Sequence, residues 1–269
     1  MTNRTRPIAM LVALIAITGG PAGIAKIAPE SVVGMWLFDE GAGDVVADSS
    51  ANGHHGTVNG ADSWTEGVFE QALEIGGGTF VRVTANADDP DALSLTTYTV
   101  TAWMQTESAG DWIAVIAKAD RNENRNYTLY IHLDNNTAAI SIGDEGANTW
   151  HDASGQTIVN DGDWHHVAIS FDDDSDTGRV FTDGLQEAEY KVLNDVPQNT
   201  ADLVFAAWNH AGGNGAYIGL LDEIGLFNVA LEEADIKAIM TDGLPEAGLS
   251  VDAHGKLATR WAALRRDAY

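Results

Sequence analysis

Apolar and polar residues alternate with a period of two through much of this chain, in short runs separated by turn chemistry. In YTVTAWMQT (98–106) Tyr98, Val100, Ala102 and Met104 fall on one face, and in WHHVAISF (164–171) Val167, Ile169 and Phe171 do the same. That is the spacing of a half-buried strand and not of a helix. Comparable runs lie at 31–38, 71–75, 80–84, 112–118, 127–133, 137–143, 178–184, 186–192, 201–208 and 216–227. They are rich in the β-branched and aromatic residues that pleated surfaces favour. Asp134-Asn135-Asn136 and Asp172 to Gly178 read as connections, and Asp183-Gly184 as a tight hairpin turn. One helix is predicted, over 231–240, with Glu232, Glu233 and Asp235 near its positive end and Gly243 past its close. The pattern therefore predicts an all-β protein. Its strands form a two-sheet antiparallel jelly-roll sandwich with a short helix near the C-terminal end of the domain.

The two termini break the pattern. Residues 1–25 carry a basic start (Arg4, Arg6), an uncharged apolar run at 9–17 and the small residues Gly23 and Ala25. The run is too short to cross a bilayer, so this segment is expected to be a secretory signal peptide and the protein to be secreted, extracellular or at the cell surface. The jelly roll is expected over 26–243. The tail, 244–269, places Leu257, Trp261 and Leu264 on one helical face among Lys256, Arg260, Arg265 and Arg266. Either a terminal helix packed on the sandwich or a contact with an anionic surface or anchoring partner fits that pattern.

Composition narrows the function. The chain holds 14 basic and 40 acidic residues, a net charge of −26, which repels phosphate backbones and argues against a nucleic-acid partner. Cysteine is absent. An exported domain without disulfides needs a substantial core or a metal ion to hold it together.

Four segments carry a family likeness: VVGMWLFDEGAGDVVADSSANGHHGTV (32–58), YTVTAWMQTE (98–107), DGDWHHVAISFD (161–172) and YIGLLDEIGLFNVAL (217–231). In order and spacing the chain resembles a laminin-G-like jelly-roll domain of the concanavalin A-like lectin/glucanase superfamily. The resemblance implies the sandwich fold and, from calcium-bearing relatives, a cation tying the ends of the domain together. It leaves function open, because the superfamily hosts lectins, adhesion modules and glycosidases alike.

Three kinds of chemistry can be weighed. For calcium, Asp48, the Asn52 side-chain oxygen and carbonyls around His54 share one glycine-kinked loop, and Asp222 could complete the oxygen shell. Asp-Ser-Ser and Asn-Gly also form ordinary metal-free turns, so both readings stand. The acidic run 172–178 reads as a solvated hairpin tip. For catalysis, the glycosidase pattern of carboxylates on one strand face is missing. Asp222 and Glu223 are adjacent and should face opposite ways, and no nucleophile elbow or cysteine nucleophile occurs. No enzymatic activity is expected. For ligand binding, Trp112, Trp150, Trp208 and His210 sit at strand ends or in loops, with Arg121, Arg125 and Asp144 in comparable positions. An aromatic platform flanked by planar polar groups is how sugars are recognised. The expected function is a non-catalytic binding module for extracellular carbohydrate or glycoprotein with a structural calcium ion. A structural or adhesion component is the alternative, and a polysaccharide-acting enzyme the more distant one.

Overall fold

The computed structural model describes residues 27–50, 52–61, 63–85, 89–121, 124–144, 149–192, 196–208 and 217–245. In chain order the strands are β1 (Val32–Trp36), β2 (Val45–Val46), β3 (Gly56–Asn59), β4 (Trp64–Glu66), β5 (Gln71–Ile75), β6 (Phe80–Val83), β7 (Tyr98–Thr106) and β8 (Ile113–Arg121). They continue as β9 (Asn124–Ile131), β10 (Thr137–Asp144), β11 (Thr149–Ile158), β12 (Trp164–Asp172), β13 (Thr177–Thr182), β14 (Leu185–Lys191), β15 (Leu203–Phe205) and β16 (Gly219–Phe227). The helix α1 covers Glu233–Asp242.

Two antiparallel sheets face each other. One runs β14-β13-β12-β7-β16-β5-β4, with β1 beside the second half of β16, and the other runs β11-β10-β9-β8-β15-β6-β3-β2. Their facing sides bury the main core, in which Trp36 meets Phe205 and Tyr98 meets Tyr127 across the sandwich, each pair with centroids 5.0 Å apart. Edge contacts between large rings add to the burial that holds sheets together without covalent links. A second, smaller core lies on the far side of the first sheet. There α1 lays Ile236 and Ile239 against Ala168, Phe181 and Phe227.

The expected punctuation is present. Asp183 and Gly184 both adopt positive φ (51° and 77°) between β13 and β14, as a tight hairpin requires. Gly243 terminates α1 at φ 79°, with its N–H on the Ile239 carbonyl. The expected leader, 1–25, and residues 246–269 of the expected tail, 244–269, lie outside the described residues, and Leu244 at the start of that tail is buried beside α1. Among the described residues no helix is long and apolar enough to cross a membrane.

Candidate functional site

The outward face of the second sheet carries an unusual floor. Cross-strand register aligns Asp152 with Ser141, Ser141 with Thr128, and Thr128 with Ala117. The next positions along these strands are Ala114, Tyr130 and Ala139, also in register, and Gly143 lies opposite Trp150. Directly opposed residues share a face, and Ile140, Ile142 and Leu129 between them point into the core. Ala, Gly, Ser and Thr in this floor leave room above it, which large side chains fill.

Those side chains are Arg125, Trp150, Trp208, Trp112 and His132. The Arg125 guanidinium carbon lies 4.7 Å from the Trp150 ring centroid and 5.0 Å from that of Trp208, and Nη1 donates to Ser141 Oγ at 2.6 Å. Trp208 is held by its indole N–H, which donates to the Trp112 carbonyl at 2.8 Å. Trp112 packs on His132 at 4.7 Å and on Tyr130 at 5.5 Å. The result is a continuous aromatic surface in which Arg125 is 8% exposed and Trp150 is 43% exposed. Cation–π stacking keeps the guanidinium under the rings and presents Trp150 to solvent.

Electrostatics follow from the packing. Burial lowers the Arg125 pKa, and the Asp152 carboxylate acts against that shift. Burial raises the Tyr130 phenol, and Asp152 adds to the rise. Thr128 Oγ1, beneath the cover, is buried without a hydrogen-bond partner among the described residues.

Of the residues predicted from sequence for ligand contact, the structure thus brings Trp112, Arg125, Trp150 and Trp208 together. Arg121 pairs with Asn124 where β8 meets β9, and Asp144 pairs with Thr149 where β10 meets β11. Their side chains, and His210, lie outside the described residues. Tyr130, His132, Ser141 and Asp152 carry no local signal of a site: the first three lie in or beside apolar strand runs, and Asp152 sits in a strand that propensity does not reveal.

The residues predicted for calcium are placed in two separate settings. Asp48 Oδ1 accepts from the Met35 and Ser50 N–H groups (3.0 and 2.9 Å), and Oδ2 from the His54 N–H (2.9 Å). Asn52 donates through Nδ2 to the Val32 and Val33 carbonyls, and the His54 carbonyl accepts from the Trp36 indole. Asp222 serves another loop, with Oδ2 accepting from Val68 and Phe69 at 2.8 and 3.0 Å.

A bulge in β16 builds that second setting. The register slips between Asp222 and Gly225, and Glu223 takes φ 48°. The bulge overrides the alternation that should have sent Asp222 and Glu223 to opposite faces. Glu223 Oε2 accepts from Leu244 N, and both carboxyls end up buried near each other and near Asp39. Burial pushes Asp39 up to about 6, Asp222 to about 7 and Glu223 to about 8, and charge repulsion adds to each rise: Asp39 raises the other two, Asp222 raises Glu223, and Glu40 and Glu70 raise Asp39. Asp222 Oδ1 is buried and has no hydrogen-bond partner among the described residues.

A two-sheet antiparallel jelly roll with an aromatic patch on one outward face defines a class of domain. The laminin-G model of the Concanavalin A-like lectin/glucanases superfamily matches residues 76–237, and the chain belongs to that family. No curated protein sequence gives a significant match. Among solved structures, Domain 4 of AbnA, a GH43 extracellular arabinanase from Geobacillus stearothermophilus in complex with arabinotriose, is similar with a TM-score of 0.62 at 19% identity. The match covers 78% of this chain and 98% of that one. The binding domain of Paraclostridial Mosquitocidal Protein 1 gives a TM-score of 0.64 at 11% identity over 80% of this chain and 52% of that one. The binding domain of Botulinum neurotoxin DC, in complex with rat synaptotagmin II, gives 0.62 at 12% identity, with 80% and 52% covered. The chain therefore spans about half the length of those toxin chains. At these identities the likeness establishes the fold.

Proposed function

We propose that this protein is a secreted, non-catalytic module that binds extracellular carbohydrate or glycoprotein through the Trp150–Arg125–Trp208 face. The observation that carries the reading is the convergence of three tryptophans and an arginine from the residue before β8, from β9, from β11 and from the segment after β15 on one surface. An exposed ring beside polar groups suits the apolar face and hydroxyl rim of a sugar. An arabinanase domain of the same fold in complex with arabinotriose supports it. The carboxylates that do lie together, buried Asp222 and Glu223 with half-buried Asp39, are engaged by backbone N–H groups, which favours binding over glycoside hydrolysis. Trp150→Ala is expected to weaken oligosaccharide binding by roughly 30-fold, the effect of removing a central aromatic anchor, with the melting temperature little changed. Calorimetric titration across an oligosaccharide panel checks this, and unaltered affinity in the variant would count against the face.

A structural calcium ion is the second part of the proposal. Asp48, Asn52 and His54 are occupied in bracing their own turn, so the acidic pocket around Asp222 suits a cation better. Among the described residues no three acidic or histidine side chains form a metal shell, but the buried Asp222 and Glu223, with half-buried Asp39 nearby and Asp222 Oδ1 without a partner among those residues, offer the hard oxygens calcium takes. Asp222 and Glu223 would contribute oxygens to the ion, which would supply positive charge between the last long strand and the 67–71 turn. A chelator is expected to lower the melting temperature by several degrees and added calcium to restore it. Identical melts in both conditions, with no metal in the purified protein, would contradict this.

A further inference from the structure

We infer that the aromatic face takes neutral oligosaccharides and rejects carboxylated or sulfated ones, with Asp152 as the residue that sets this preference. The inference rests on the carbohydrate reading above and names the ligand class for the same site. The positive charge of this face is already engaged. Arg125 is covered by two indole rings, donates to Ser141 Oγ and faces Asp152. Arg82 stands farther along the same face, aligned with Val204, which is itself aligned with Ala117. It is paired with Asp202 at 2.6 Å and stacked on Phe80. An arriving anion finds both guanidinium groups already engaged by partners of this chain.

What it meets first is a carboxylate. Asp152 is exposed and lies two residues from Trp150 along β11, so the two side chains share a face. A sugar ring resting on the Trp150 indole brings its hydroxyls toward Asp152, and a carboxylate accepts strong hydrogen bonds from neutral hydroxyls. The same carboxylate repels a sialyl, uronyl or sulfate group, and the net charge of −26 acts in the same direction over longer range. Asp152 is thus both the hydroxyl acceptor and the filter.

The test titrates the full chain calorimetrically with a neutral panel (arabinotriose, xylotriose, cellotriose, mannotriose) and an anionic panel (sialyllactose, a heparin tetrasaccharide), each at low and high salt. At least one neutral trisaccharide is expected to bind with an affinity insensitive to salt, and the anionic ligands at least about 10-fold more weakly. Asp152→Asn should weaken the neutral ligand several-fold and narrow the gap between panels, while its melting curve shows the fold intact. Anionic ligands that bind more tightly than neutral ones, or an unchanged gap in Asp152→Asn, would overturn the inference. If anionic binding also vanished in Trp150→Ala, the site would stand and only its neutrality would fall. Binding of neither panel would overturn the carbohydrate reading and this inference with it.

Discussion

Replacing His166 with leucine is expected to make the protein markedly more resistant to acid than the wild type, by about 4 kcal/mol near pH 3. His166 is fully buried in β12, its ring edge-on to Trp103 at 5.3 Å, and neither ring nitrogen has a hydrogen-bond partner among the described residues. Burial pushes its pKa down to about 3. In the unfolded chain the imidazole titrates near 6.5. Between those values the unfolded state holds a proton that the folded state refuses, so stability falls as pH drops through this window, by up to about 1.4 kcal/mol per unit. Other groups act in the same range. His165 is pushed down by burial but raised further by Asp183 and Asp161, which its ring contacts at 2.9 and 3.2 Å. Its contribution has the opposite sign, present below 6.5 and lost as pH rises through the elevated value. The difference between wild type and His166→Leu cancels these shared terms. Urea midpoints measured from pH 7 to pH 3 check it, and parallel curves for the two proteins would show that His166 does not carry the acid response.

The second large effect is expected at Gly67. A Cβ there would sit 2.5 Å from Asp222 Oδ2 and 2.6 Å from the Gln71 carbonyl oxygen. The second of these is backbone, and the first is pinned by two N–H groups, so neither can step aside cheaply. Gly67→Ala should break the Val68 and Phe69 hydrogen bonds to a buried carboxylate and cost about 3 kcal/mol. It should also abolish the response to chelator, because the carboxylate proposed to hold calcium is displaced. A urea titration with and without chelator reads both effects. An alanine variant as stable as wild type would mean that the 67–71 turn does not clasp Asp222 in solution.

Much of the fold was legible because alternation decides it wherever one face is buried. β5 and β7 fall on the residues that period-two patterning marks, and the helix is offset by two residues, with Gly243 closing it as expected. β11 was invisible for a physical reason. Its sequence, TWHDASGQTI, contains the Gly, Ser and Asp that strands disfavour, and its pairing comes from the register that β10 imposes. β11 carries Trp150, marked by its aromatic character alone, and Asp152, which nothing local marks. Trp112, Arg125, Trp150 and Trp208 could each be singled out as polar or aromatic residues at strand ends. Their meeting depends on cross-strand alignment over four strands, which no local signal encodes. The Asp222–Glu223 pair failed differently, because alternation holds only in a regular strand and a bulge removes it at that point.

Ligand is expected to bind on the outward face of the second sheet. Chemical-shift mapping of the isotopically labelled protein with a bound neutral trisaccharide tests it most directly. The indole N–H signals of Trp150 and Trp208 and the backbone amides of Ser141 and Asp152 should move together as the sugar is added. Shifts confined to the cleft lined by Glu74, Gln105, Glu107, Ser108 and Ile218 at the end of the first sheet, with the tryptophan signals still, would contradict it.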